Sequence, residues 1–165
     1  MQPLRRKVWA PVGQTPIHYP WDRHDRLSVI CALTVAPWEQ RFGLYYNLLD
    51  DNCHAVDLMR FLRSVHHHLR RTMLLVWDRW SAHRSAAAQM ERAGCSWLQP
   101  RWLPSYAPEL DPVEFVWTQS KYGDMANWIP DHLDDLRRHL VQLLEDYRHD
   151  PLRLYSFFRI ARLPI

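Results

Sequence analysis

The sequence predicts an α/β protein: a mixed sheet covered by helices. Three observations predict it. Short β-rich apolar runs occupy the first third of the chain, a helical apolar period appears at residue 55 and again at residue 131, and one isolated apolar run, Met73-Leu74-Leu75-Val76-Trp77, ends in the carboxylate of Asp78. Strands that alternate with helical segments call for a layered sheet rather than a bundle or a sandwich.

Each element has its own justification. Arg6 to Ile17 reads as an extended segment broken by Pro11, Gly13 and Pro16, because proline and glycine interrupt helices and set turns. Leu27 to Val35 and Phe42 to Leu49 are strands, separated by the turn-like Ala36-Pro37-Trp38 and closed by Asp50-Asp51-Asn52. From Ala55 to Arg70 the period changes: Leu58, Phe61, Leu62, Val65 and Leu69 fall on one helical face. Met73 to Trp77 is a continuous apolar run, the kind expected to be buried on both faces of a parallel sheet. Ser85 to Ala93 is Ala-rich and helical, with Gly94 at its C-terminal cap. Ser96-Trp97-Leu98 is a further short strand. A helix begins at Asp111 and runs to about Met125. Another spans Asp131 to Tyr147, with Leu133, Leu136, Leu140, Leu143, Leu144 and Tyr147 on one side, and Leu152 to Leu163 adds an amphipathic tail.

Composition narrows the function classes. At 165 residues, with 47% hydrophobic and 24% charged residues, the chain is one domain able to bury a core. A net charge of +3 is compatible with a polyanionic partner without demanding one. No run of about 18 apolar residues is present to span a membrane, and no apolar segment follows Arg5-Arg6-Lys7 as a signal peptide requires. Cys31, Cys53 and Cys95 are odd in number and widely spaced, which gives neither a zinc site nor a disulfide framework. A cytoplasmic setting is therefore expected. Phosphate-cradling glycine loops, a G-x-S-x-G elbow and an H-E-x-x-H helix are all missing, so P-loop hydrolysis, serine hydrolysis and zinc proteolysis lack their parts.

Two acids carry the chemistry. Asp78 stands at the C-terminal end of an apolar strand, where open α/β sheets place their ligands, although a loop or helix-capping acid would look the same. Glu114 lies in Asp111-Pro112-Val113-Glu114, which reads equally as a capping box, with an acid at the cap, proline at the first helical position and glutamate two residues on. With 35 residues between them, Asp78 and Glu114 can meet in space and share a divalent metal, the arrangement that cuts and joins phosphodiesters. His83 is either a support for Asp78 or a polar loop residue. Arg84, Arg101 and Lys121 flank the two acids and are candidate phosphate contacts. His66-His67-His68 face different directions on a helix and are read as surface rather than as a metal tract.

These same residues carry a family resemblance. Leu75-Val76-Trp77-Asp78-Arg79-Trp80-Ser81-Ala82-His83-Arg84 resembles the second-aspartate block of DDE transposases of the mariner-like bacterial insertion-sequence class. Leu103-Pro104-Ser105-Tyr106-Ala107-Pro108-Glu109-Leu110-Asp111-Pro112-Val113-Glu114-Phe115-Val116-Trp117 is similar to their third block, with Glu114 as its acid. Arg5 to Pro16 resembles the segment that follows the first acid, and Leu133 to Leu163 the closing helices, so the likeness runs over essentially the whole chain. Three departures stand out: Asp111 replaces the usual asparagine, Trp80 stands where a small or polar residue is common, and no residue matches the first catalytic acid.

The resemblance implies an RNase H-like fold and Mg²⁺- or Mn²⁺-dependent cleavage of transposon ends followed by strand transfer into target DNA. In that chemistry three carboxylates hold two ions about 4 Å apart; Asp78 and Glu114 would be two of the three, with Arg84 and Lys121 as DNA contacts. The first acid and its central strand would precede Met1, as would a helix-turn-helix domain. Residues 1–165 are thus expected to form a single, partial catalytic domain, inactive alone, that works in the bacterial cytoplasm on nucleoid DNA. Its expected partners are transposon and target DNA, an upstream-encoded transposase portion, and a second copy in a homodimer. The alternative is a non-catalytic remnant or interaction module that binds DNA or full-length transposase.

Overall fold

The computed structural model describes residues 10–14, 27–36, 38 and 41–163. Of the expected Arg6–Ile17 segment only 10–14 is among them. It is a turn, with Gly13 at φ +83° and the Gln14 N–H donating to the Pro11 carbonyl; the rest of that expectation lies outside the described residues.

Strand β1 (Ser28–Ala36) and strand β2 (Arg41–Leu49) form an antiparallel hairpin in which Ser28 faces Leu49 and Ala36 faces Arg41. Gly43 lies opposite Thr34, where a Cβ would come within 2.7 Å of the threonine hydroxyl, so only glycine fits without a shift. Helix α1 (Ala55–Leu69) buries Leu58, Phe61, Leu62 and Val65, the face its period defines. Strand β3 (Met73–Trp77) pairs in parallel with strand β4 (Leu98–Trp102), joined through helix α2 (Ser81–Arg92). Gly94, at φ +69°, follows that helix in the left-handed conformation expected of a glycine there.

Helix α3 (Pro112–Thr118) follows a 3₁₀ turn at Pro108–Leu110. It continues as a π-helical segment, Gln119–Asp124, before helices α4 (Leu133–Arg148) and α5 (Pro151–Ile160). The helix expected to run from Asp111 to about Met125 is therefore α-helical only to Thr118, after which wider turns rotate successive side chains off the α-helical face. Strand β4 lies further along than Ser96–Leu98, because it contains Pro100. A proline that cannot donate to a ladder is tolerated in a strand paired on one side only.

Among the described residues the strands make two two-stranded sheets, β1–β2 and β3–β4. Period-2 alternation makes the hairpin the middle layer of the molecule. Val29, Cys31, Leu33, Phe42, Leu44, Tyr46 and Leu48 face one core, built with α3, α4 and α5. Ile30, Ala32, Tyr45 and Leu49 face the other, built with α1, α2, β3 and β4. The α3–α4–α5 layer is tied to the hairpin by a 2.6 Å hydrogen bond from the Tyr46 hydroxyl to Glu145 Oε1 and by an ion pair between Arg137 and Asp50.

One expectation is corrected. Met73, Leu75 and Trp77 pack into the second core, but Leu74 is 62% exposed and Val76 45% exposed, so β3 is covered on one face and not on both. The apolar run misled because its outward positions are also apolar, and the helical layer built by α3, α4 and α5 covers the hairpin half of the sheets alone.

Candidate active site

Asp78 follows β3 directly, at the C-terminal ends of the parallel pair, and its side chain is 59% exposed. Two groups hold its Oδ1: the backbone N–H of Trp80 donates to it at 2.9 Å, and His83 Nδ1 lies 2.5 Å away. Helix α2 starts at Ser81 with Trp80 as its cap residue, so this loop acid and the helical His83 are brought together by the tight turn between strand and helix. The His83 ring is fixed in turn by aromatic packing. It stacks on Trp77 with centroids 4.7 Å apart and 21° between planes, and stands perpendicular to Trp80 at 5.2 Å. Trp77 stacks again on Trp102 of β4, at 5.5 Å and 13°.

Glu114 lies in the first turn of α3, exposed. The cap of that helix is Asp111, whose carboxylate accepts from the Val113 N–H at 3.0 Å, with Pro112 at the first helical position. Phe115, Val116 and Trp117 anchor α3 in the first core. Asp111 meets the cap of the expected box, but the reciprocal half is not formed: the Asp111 N–H donates to the Pro108 carbonyl, and Glu114 projects from a helix turn held by proline, cap and core.

Asp111 joins the two acids electrostatically. Burial holds its carboxyl above the usual aspartate range and the Val113 hydrogen bond pulls the other way; the negative charges of Glu114 and then Asp78 raise it further, while His83 lowers it. All three charges act on one carboxylate, so the end of β3, the start of α2 and the start of α3 form one electrostatic neighbourhood. The same carboxylate raises the thiol of Cys31, after the larger effect of burial, which places the start of α3 against β1.

The remaining candidates separate. Arg84 and Arg101 are exposed, Arg84 one helical turn beyond Trp80 and Arg101 beside Val76 in the β3–β4 register. Lys121 is half-buried in the π segment. His66 stacks on Trp97 at 4.0 Å and His68 meets Tyr45 at 5.5 Å, so two of the three consecutive histidines serve packing. Among the described residues no group of three or more His, Cys, Asp or Glu side chains is gathered closely enough to hold a metal ion. Asp78 and Glu114 supply two hard oxygen donors suited to Mg²⁺ or Mn²⁺; that donor chemistry fits two ligands of such an ion and needs oxygens from elsewhere to complete it.

An acid at the end of a parallel strand, a second acid at a helix start and a hairpin sandwiched between helical layers define an α/β protein of the RNase H-like class. Solved structures share this fold. The Mos1 strand transfer complex matches with a TM-score of 0.63 at 17% identity, and the Mos1 transposase paired-end complex with left transposon end at 0.62 and 15%. Each match covers 98% of this chain and 47% of the other, so the chain spans about half the length of the solved chains it matches. The family model described as DDE superfamily endonuclease matches residues 1–148, and the chain belongs to that family. No curated protein matches it. Family members generally use divalent metal ions.

Proposed function

We propose that this chain is the catalytic part of a DDE transposase, cleaving DNA at transposon ends and joining the freed ends to target DNA, with Asp78 and Glu114 as metal-holding carboxylates. The observation that carries the reading is the convergence of both acids on Asp111 from elements 35 residues apart in sequence. Ions of the Mg²⁺ or Mn²⁺ type, when bound, would neutralise charge on the reacting phosphate and activate the attacking hydroxyl. This chain's residues prepare for that. The Trp80 N–H and His83 both engage Oδ1 of Asp78, which fixes the direction of Oδ2, and the capped first turn of α3 aims Glu114. Arg84 and Lys121 are assigned to backbone phosphates, where guanidinium and ammonium groups position DNA without reading it.

DNA ends are the proposed substrate, in keeping with the Mos1 paired-end complex, which holds a left transposon end. The remaining carboxylate is assigned to an additional portion of transposase, encoded upstream, that pairs with this chain. Support comes from the uncovered apolar face of β3, Leu74 and Val76. A homodimer, each copy holding one end, is the proposed assembly. The same uncovered face also favours a second reading, a non-catalytic module that binds full-length transposase.

The test is nicking of a plasmid that carries the element's terminal inverted repeats, with Mn²⁺, by the chain joined to the upstream-encoded portion. Nicking at the ends is expected, and Asp78→Ala and Glu114→Ala should each lower it by at least a hundredfold. Cleavage by either variant at the parent rate overturns that residue's assignment. Binding of full-length transposase without cleavage by the joined protein would establish the second reading instead.

A further inference from the structure

The backbone N–H of Trp80 holds Asp78, but its indole is not used by the proposed chemistry and occupies a distinctive place. It lies two residues beyond Asp78, 46% exposed, at the cap of α2. Its backbone is held from both sides: its N–H donates to Asp78 Oδ1 at 2.9 Å, and its carbonyl accepts from the Arg84 N–H at 3.0 Å. Its ring stands at 88° to His83, the end of a continuous aromatic row that runs through Trp77 to Trp102. With its backbone held and its ring resting edge-on against His83, the indole loses less conformational entropy on meeting a ligand than a free side chain would.

The surroundings specify the ligand. Arg79 and Arg84 are both exposed, Arg79 next to Trp80 in sequence and Arg84 one helical turn on along α2, so two cationic residues neighbour Trp80 along the chain. A flat apolar surface with cationic residues next to it in the chain, close to a carboxylate, suits a nucleic-acid base attached to a phosphate. Bases stack on aromatic rings whatever their identity, and basic groups track the backbone. Inside a duplex both faces of a paired base are covered by its stacked neighbours, and a base that leaves the stack offers its face freely.

We propose that Trp80 is a stacking platform for an unpaired DNA base beside the phosphate presented to Asp78. The inference deepens the transposase reading and rests on it. It adds that the DNA end is bound with at least one base out of the helix, so that the site prefers ends that are already frayed or single-stranded. Sequence discrimination is not expected from the stack itself, because every base offers a π face.

The test uses the 165-residue chain in EDTA, where no cleavage occurs, with two DNA probes. One is a blunt duplex; the other carries a short unpaired end with 2-aminopurine at its first unpaired position. Binding is read by fluorescence anisotropy and stacking by quenching of the 2-aminopurine. The parent chain should prefer the frayed probe and quench its base. Trp80→Ala should lose about tenfold in affinity for the frayed probe and abolish the quench while leaving the blunt duplex unaffected. Trp80→Phe should recover most of both. Arg84→Ala should weaken both probes alike and flatten the salt dependence.

If Trp80→Ala binds the frayed probe as tightly as the parent and still quenches it, the inference is overturned while plasmid nicking leaves the transposase reading standing. If the parent binds neither probe, the inference is overturned, and failure of plasmid nicking would then remove the transposase reading separately. Circular dichroism and thermal melting of both Trp80 variants separate loss of the platform from loss of fold; a melt of Trp80→Ala below that of Trp80→Phe with neither changing DNA affinity assigns the ring to packing and also overturns the inference.

Discussion

At the scale of single residues, Asp111 does two things that oppose each other. Its carboxylate oxygen satisfies the Val113 N–H at the start of α3, a cap whose loss typically costs about 1 kcal/mol. Its charge, meanwhile, is disfavoured by burial and by the neighbouring charges of Glu114 and Asp78. A carboxyl whose folded value is raised binds its proton more tightly folded than unfolded. The contribution of this group to stability is therefore most favourable at low pH, falls as pH rises from the unfolded value through the folded one, and is least favourable above both. Asparagine keeps the capping oxygen without the charge. Asp111→Asn should accordingly melt no lower than the parent at pH 7, with the advantage shrinking as pH drops past about 4, near the unperturbed aspartate value. Asp111→Ala, which removes the cap, should melt below Asp111→Asn at every pH. Thermal melts of the three proteins from acid to neutral pH decide it; a parent more stable than Asp111→Asn at neutral pH would contradict the assigned cause.

At the scale of elements, β3 shows how a short apolar run can misreport its surroundings. The run Met73–Trp77 is apolar at every position, so its period cannot say which faces are covered. The fold places Met73, Leu75 and Trp77 inside and leaves Leu74 and Val76 in solvent. The energetic consequence is a contrast between two leucines. Leu140, on the inner face of α4, is fully buried, and Leu140→Ala should cost about 2–5 kcal/mol from lost burial and a residual cavity. Leu74→Ala should change stability by no more than about 0.5 kcal/mol. Urea unfolding of the two variants tests this, and a cost at Leu74 comparable to that at Leu140 would mean that something covers the outer face in solution. Helix α3 makes the complementary point. Asp111-Pro112 were legible as a helix start because cap and proline act through local geometry, whereas the passage into a π segment at Gln119 leaves no local signal of that kind.

At the scale of the whole molecule, the hairpin is the shared wall between two cores, and β3–β4 borders only one of them. Opening the β3–β4 pair exposes one packed face, while opening β1–β2 disrupts both cores. Native-state hydrogen exchange should therefore protect the amides of Val29–Val35 more strongly than those of Met73–Trp77, because local opening free energies follow buried contact. Equal protection in the two pairs would show that they open as one unit. Asp78 and the aromatic row lie at the C-terminal end of the β3–β4 pair, whereas Glu114 projects from α3 in the other core.

Local chemistry was enough for much of this. The hairpin, the helices at 55 and 133, the capped start of α3 and the two acids with their motifs all follow from periods, caps and spacing, which act over a few residues and are written in sequence. That Asp78 and Glu114 can meet is an expectation from their spacing; that Glu114, Asp78 and His83 all act on the Asp111 carboxyl, and Asp111 on Cys31 of β1, depends on how the elements pack. Three features belong to the tertiary structure alone: the row Trp102–Trp77–His83–Trp80, the one-sided burial of β3, and the division of the hairpin between two cores. Each depends on contacts between residues far apart in the chain, and no local pattern encodes which face of an all-apolar strand another layer will cover.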